Sequence, residues 1–140
     1  MCYPDNCLRG INSPSQIEDN LVSSDVFYFL DDHIRPDGTF EESINWDDDH
    51  AREFTLAQIN SEGTLKHKGG VAVVPRENLD SCATLKSFIG AFSYERQAID
   101  GINPYHGNLL LAPGTGKKRR KAIAWTLAMQ VSEIIPPNNG

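Results

Sequence analysis

Cysteine is scarce in this chain, and its scarcity excludes a disulfide-stabilised scaffold. The 140 residues include only three cysteines, Cys2, Cys7 and Cys82. An odd number cannot all pair within one chain, and small disulfide-rich domains usually carry an even set at regular spacing. Cys2 and Cys7 also lack the second ligand pair that completes the usual zinc signature.

Long apolar runs are also missing. No segment approaches the roughly 18 consecutive apolar residues of a membrane-spanning helix, and the opening MCYPDNCLRG has no apolar core like that of a signal peptide. The content of hydrophobic residues, 39%, and of charged residues, 23%, is ordinary for a globular domain. We therefore expect a cytoplasmic protein that does not contact a membrane.

Basic residues are few in the first half of the chain and abundant in the second. Residues 1–62 contain 14 acidic and three basic residues, whereas residues 63–140 contain five acidic and ten basic residues. The net charge of −6 therefore conceals a balance of −11 in the first part and +5 in the second. Such asymmetry predicts a surface with two oppositely charged regions, which can orient a partner.

The clearest local pattern runs from residue 109 to residue 135. Three leucines at 109–111 predict a buried strand, and Pro113, Gly114 and Gly116 then break the chain. Residues 117–135 predict a helix, which Pro136 and Pro137 would end. Apolar side chains cover most of the circumference of that helix, so we expect it to be central and buried.

Residues 113–117, Pro-Gly-Thr-Gly-Lys, resemble part of the phosphate-binding loop of AAA-type and related P-loop ATPases. The first glycine of that motif falls on Leu111, and its magnesium-binding Ser/Thr falls on Lys118, so nucleotide hydrolysis is not expected. Free backbone N–H groups at a helix start still attract anions. The sequence therefore predicts a phosphate or nucleic-acid contact through Thr115, Gly116, Lys117, Lys118, Arg119, Arg120 and Lys121.

Two further groups of residues have side chains suited to ligands. Asp47, Asp49 and His50 are candidate metal ligands, although acidic residues in a first helical turn also complement the helix dipole. Tyr105, His106 and Asn108 lie in a segment rich in proline and glycine just before the predicted strand, where ligand-binding residues often lie.

The remaining segments give a less complete picture. Residues 1–12 are expected to form an irregular arm, and 136–140 a tail. A capping box at Ser13–Gln16 predicts a short helix, and strands are expected at 26–30, 64–68 and 70–74. Residues 76–80 are expected to be a loop. Two stretches, 54–59 and 81–98, fit either a helix or a strand, with helix favoured for the second.

These patterns indicate an α+β fold, formed by a single domain over residues 1–140. It would have a small, mostly antiparallel sheet and three or four helices. We expect a non-catalytic interaction protein, a small subunit of a larger cytosolic assembly with a protein partner and no cofactor. One alternative is a phosphate or nucleic-acid contact protein that uses residues 117–121. The other is a small metal-dependent hydrolase that uses some of His33, Asp47, Asp49, His50 and His106.

Overall fold

Eight strands and three α-helices form the structure, a computed structural model that describes residues 3–138. The helices are α1 (Ala51–Ala57), α2 (Arg76–Thr84) and α3 (Lys117–Met129). The strands are β1 (Asn6–Ile11), β2 (Ile17–Glu18), β3 (Leu21–Val22), β4 (Phe40–Trp46), β5 (Gly70–Pro75), β6 (Phe92–Arg96), β7 (His106–Leu111) and β8 (Glu133–Ile135). Two short 3₁₀ helices, Pro14–Gln16 and Ser24–Phe27, connect early elements.

Six strands form one sheet in the order β6-β7-β4-β1-β5-β8, and each neighbouring pair is antiparallel. The strands β2 and β3 form a separate small hairpin. The α+β class and the antiparallel sheet predicted from the sequence are confirmed.

One face of the sheet carries the main hydrophobic core. Side chains alternate between the two faces of a strand, so Trp46, Leu109 and Leu111 all point towards this core face and are fully buried. Helices α2 and α3 and the 3₁₀ turn at Ser24–Phe27 cover them with Leu79, Leu127, Phe27 and other apolar side chains. On the opposite face, which we call the cleft face, the short α1 covers a small cluster at Leu8, Val71 and Val73.

The prediction of an irregular arm over residues 1–12 is wrong for 6–11. These residues form β1, which lies between β4 and β5 in the middle of the sheet. Arg9 and Gly10 give the segment a polar, loop-like composition, but all six residues pair with β5. Of the predicted tail, 136–138 have no regular structure, and 139–140 lie outside the described residues.

Three other local expectations are wrong. Residues 26–30 are not a strand, because a 3₁₀ turn inserts Val26 and Phe27 beneath α3. Residues 64–68 form no strand, and the expected loop at 76–80 is the first part of α2. The capping box at Ser13 and Gln16 is present, but the helix that it starts is only three residues long.

The helix α3 begins at Lys117 as predicted, but its expected burial is not confirmed. Ile123, Ala124 and Leu127 face the core, whereas Trp125 is 63% exposed and Met129 is 70% exposed. The helix also ends at Met129, six residues before the expected stop. Residues Glu133–Ile135 instead form β8, which satisfies the backbone edge of β5.

Across residues 3–138, no helix combines the length and the apolar character required to cross a bilayer.

Candidate functional site

The central sheet is split between β1 and β4. These strands pair only at Cys7–Trp46 and Leu8–Asn45, although β1 pairs with β5 over six residues and β4 pairs with β7 over six. The guanidinium of Arg9 bridges the split: its Nε donates to Val26 O at 2.8 Å and its Nη1 donates to Ser43 O at 2.8 Å. A cleft of about 420 Å³ opens above it on the cleft face.

Four parts of the chain form the walls of the cleft. Ser43 and Asn45 of β4 lie on its floor, and Thr55 and Gln58 at the end of α1 form one side. His67 lies over Gly10 on the β1 side. The loop between β6 and β7 supplies the opposite rim, where the apolar side chains of Ile99 and Ile102 are exposed.

A chain of side-chain amides stiffens this wall. Asn103 Nδ2 donates to Asn45 Oδ1 at 2.8 Å, and Asn45 Nδ2 donates to Thr55 Oγ1 at 2.8 Å and to Gln58 Oε1 at 3.2 Å. Asn45, Thr55 and Asn103 are each at least 94% buried. Buried polar groups that satisfy one another define a single arrangement, so the wall is preorganised.

His67 joins the same network as a neutral imidazole. Its Nε2 lies 3.2 Å from Gln58 Oε1, which can only accept, so Nε2 carries the proton and Nδ1 is left without a donor. Burial, followed by the charges of Lys66 and Arg9, lowers the pKa of His67 from 6.5 to about 4. A side chain on Gly10 would collide with this ring, since its Cβ would lie 1.9 Å from His67 Nδ1.

The charges that line the cleft all have one sign. The described lining includes the cations Arg9 and Lys66 and three of the four histidines of the chain, His33, His67 and His106, but no acidic residue. This composition is unexpected in a protein with 19 acidic residues. Within residues 3–138, neither Lys66 nor His33 has an ion-pair or side-chain hydrogen-bond partner. A concave site of one sign concentrates the field and attracts ligands of the opposite charge.

His106 is paired with a hydroxyl. Its Nδ1 lies 3.0 Å from the carbonyl oxygen of Gln97, so Nδ1 carries the proton of the neutral ring. The unprotonated Nε2 lies 3.3 Å from Ser43 Oγ and accepts its hydrogen bond. Ser43 and His106 are 63 residues apart, and the antiparallel register of β4 and β7 brings them together. Sequence reasoning found His106 but had no local signal for Ser43.

The prediction of a ligand loop is wrong for His106 and Asn108, which belong to β7, and of the three predicted residues only His106 reaches the cleft. Tyr105 instead packs its ring against Phe54 and donates its hydroxyl to Asp49 O at 2.7 Å. Asn108 donates to Glu95 of β6 and to Gln97, the residue that follows this strand. Both residues therefore support structure beside the cleft, whereas His106 lines it.

The structure does not gather the predicted metal ligands into one site. Asp47 binds the guanidinium of Arg52 at 3.0 Å, and His50 lies 3.7 Å from Glu53. Asp49 is exposed, and its backbone oxygen accepts the hydrogen bond from Tyr105. In the part of the chain that the structure describes, no three His, Cys, Asp or Glu side chains cluster in a way that could hold a metal ion.

The basic run at the start of α3 divides into two groups. Arg120 is buried, where it donates to Asp31 Oδ1 at 2.7 Å and to Phe29 O at 3.0 Å, with its guanidinium 4.4 Å from the centre of the Phe40 ring. Arg119 donates to Ser87 O, and Thr115 donates to Ala112 O. Within this run, Lys117, Lys118 and Lys121 are exposed, and in residues 3–138 they have neither an ion pair nor a side-chain hydrogen bond.

Comparisons with known proteins give no precedent for these surfaces. No protein-family model matches the chain, and neither a curated protein nor a solved structure matches it. The functional argument therefore depends on the geometry and charge of the sites themselves.

Proposed function

We propose that the protein is a non-catalytic binding protein whose cleft holds a small organic anion. The observation that carries this proposal is a cleft lining that includes Lys66 and Arg9 but no acidic residue, in a chain whose net charge is −6. Arg9 is also paired with Glu42, 3.6 Å away beneath the cleft, so the cation available to a ligand is Lys66. Lys66 and His33 are placed to contact a carboxylate or phosphate. The apolar side chains of Ile99 and Ile102 at the rim suit the uncharged part of such a ligand.

Preorganisation supports binding at this site. The amide chain through Asn103, Asn45 and Thr55 holds the wall without a ligand, so little side-chain ordering is needed when one enters. Gln58 uses its Oε1 in this network, and its amide nitrogen remains a donor that can face a ligand.

A thermal-unfolding experiment with matched ligand pairs tests the proposal. Benzoate and glycerol phosphate should raise the melting temperature more than their neutral counterparts benzamide and glycerol. A ligand at 100 times its Kd would add about 2.7 kcal/mol to the free energy of unfolding. Equal effects of the charged and neutral members of each pair would overturn the proposal.

Two lysines provide a control for nonspecific salt effects. Lys66 lines the cleft, whereas Lys68 is exposed and lies outside it. Lys66→Gln should abolish most of the anion-dependent stabilisation, and Lys68→Gln should retain it, although the two variants change the net charge equally. Loss of the effect in both variants would indicate general screening of charge and not a site.

Hydrolysis is the outcome that would contradict a non-catalytic role. The Ser43–His106 pair has the order of groups found in activated nucleophiles, a hydroxyl, a base and an acceptor that orients the base. We expect no covalent labelling of Ser43 by a fluorophosphonate. Labelling that is lost in both Ser43→Ala and His106→Gln would show that the cleft is an active site.

A second candidate function is that of an accessory subunit that binds another protein chain. It is favoured by the large apolar side chains exposed along α3, Trp125 and Met129, together with the nearby Leu21. This surface is separate from the cleft, so the two functions can coexist.

A further inference from the structure

The exposed side of α3 forms one edge of an apolar groove. The groove, about 600 Å³ in volume, lies between α3 and the β2–β3 hairpin. Leu21 is 71% exposed, Trp125 63% and Met129 70%, and all three line it. Trp and Met are enriched in protein interfaces, and tryptophan frequently dominates their binding energy.

The charged groups around this groove have opposite signs on its two sides: the hairpin contributes acidic residues, and the first half of α3 carries lysines. Lys118, Lys121, Trp125 and Met129 follow one another at helical spacing along the exposed stripe of α3. Lys121 is therefore about 6 Å along the helix from Trp125, on the side away from Met129. Glu18 and Asp19 of the hairpin line the groove itself, to which α3 contributes Trp125, Ala128 and Met129 but neither lysine.

We propose that this surface is occupied by a second copy of the same chain, which forms a two-fold symmetric dimer. If the two-fold axis passes near Trp125 and perpendicular to α3, the two copies of α3 lie antiparallel to each other. Lys118 and Lys121 of each copy then approach Glu18 and Asp19 of the other. A two-fold interface must be complementary to itself, and an apolar centre with oppositely charged sides meets that condition. A partner of uniform charge would leave one side of the groove facing like charge.

The mass of the protein in solution gives the first test. Sedimentation equilibrium should show a concentration-dependent species of twice the 15.5 kDa chain mass. Trp125→Glu should weaken dimerisation by about 100-fold or more, since a central tryptophan commonly dominates such an interface. Ile89→Glu, which adds the same charge at a side chain that is 64% exposed but does not line the groove, should leave the dimer intact.

A charge exchange tests the orientation of the two copies. Lys121→Glu alone and Glu18→Lys alone should each weaken the dimer by about tenfold, because each places like charges together in both symmetry-related contacts. An equimolar mixture of the two variants should restore dimerisation, since every contact in the mixed dimer again joins opposite charges. Glu18 is preferred to Asp19 for this exchange because Asp19 has a φ of 53°, where a lysine would be strained.

Several outcomes would overturn the proposal. A wild-type protein that is monomeric at all concentrations would show that another chain, or none, covers the groove. A dimer that persists in Trp125→Glu would place the interface elsewhere. A mixture of Lys121→Glu and Glu18→Lys that fails to dimerise would exclude the antiparallel arrangement. Trp125→Glu should retain anion binding in the cleft, so this test is independent of the proposed function.

Discussion

The two faces of the sheet use the same strands for opposite purposes. On the core face, Trp46, Leu109 and Leu111 are fully buried under α2 and α3. On the cleft face, the adjacent residues of those strands are Asn45 and Asn108, both polar and hydrogen-bonded to other side chains. The core face therefore contributes most of the hydrophobic stability, which allows the cleft face to retain polar groups that can bind a ligand.

The pair Leu111 and Leu110 gives the largest expected contrast between the faces. Leu111 is fully buried, opposite Phe40 and Phe92, whereas Leu110 is only partly buried on the cleft face. Leu111→Ala should lower the free energy of unfolding by about 3 kcal/mol, because it creates a cavity in the core. Leu110→Ala should cost about 1 kcal/mol or less, as measured by urea denaturation. Equal losses would mean that the two faces are packed alike.

Two buried titratable groups, one on each face, should change the free energy of unfolding in opposite directions as the pH rises. Burial raises the pKa of Glu42 on the core face from 4.5 to about 7, although Arg9 opposes the shift. The folded state therefore holds a proton that the unfolded state has lost, and this group makes stability fall as pH rises from about 4.5 to 7. His67 on the cleft face has a pKa lowered from 6.5 to about 4, so it makes stability rise with pH over that interval.

The two contributions nearly cancel in the wild type between pH 4.5 and 6.5, where their windows overlap. Relative to wild type, Glu42→Gln should gain stability with rising pH, and His67→Gln should lose it, each by up to about 3 kcal/mol across its window. The measurement is the free energy of unfolding by denaturant at a series of pH values. The comparison uses the slope of the free energy of unfolding against pH. A loss of stability that is the same at every pH therefore does not affect the result. Parallel slopes in all three proteins would contradict the account.

The stability that Asn45 gives to the wall of the cleft should come from its hydrogen bonds and not from the volume of its side chain. Asn45→Ala leaves Asn103 Nδ2 and Thr55 Oγ1 without their partner, and we expect a loss of about 2 kcal/mol. Ser93→Ala, at an exposed position of the same face, should change stability by less than about 0.5 kcal/mol. A loss in Asn45→Ala as small as that in Ser93→Ala would show that water replaces the network readily.

Lys66→Gln should change stability least of these variants, although it should have the largest effect on anion binding. Lys66 is exposed and has no ion pair in residues 3–138, so Lys66→Gln should alter the free energy of unfolding by less than about 0.5 kcal/mol. Destabilisation above about 1 kcal/mol would assign Lys66 a structural role that its surroundings do not indicate. Urea denaturation without added anion measures this directly.

The sequence predicts correctly those strands and helices whose boundaries are set by residues within or next to the element. The leucine run at 109–111 and the start of α3 at Lys117 were predictable because apolar burial and Pro/Gly breaks act locally. The sequence did not predict β1, because Arg9 and Gly10 make this segment resemble a loop. In the structure Arg9 joins β1 to Ser43 of β4, and Gly10 leaves room for the His67 ring. Neither contact is visible in the sequence. The end of α3 was missed because β5 offers an unpaired edge to Glu133–Ile135.

The cleft itself could be predicted only in part. Its walls come from β1, β4, α1 and two loops, and His106 and Ser43 meet only through strand register. The run of cations at 117–121 is conspicuous in the sequence, and its role as an anion site stays a prediction. Arg120 is used to anchor α3 against Asp31 and Phe29, and Lys66, isolated in sequence, lines the cleft instead.

The most direct test of the central claim is an NMR titration of isotopically labelled protein with benzoate and then with benzamide. We predict saturable shifts of the amide signals of Ser43, Asn103 and His106 with benzoate, with much weaker shifts for benzamide and for the Lys66→Gln variant. Shifts that cluster at Lys117, Lys118 and Lys121, or that are the same for both compounds, would contradict the assignment of the cleft as the anion site.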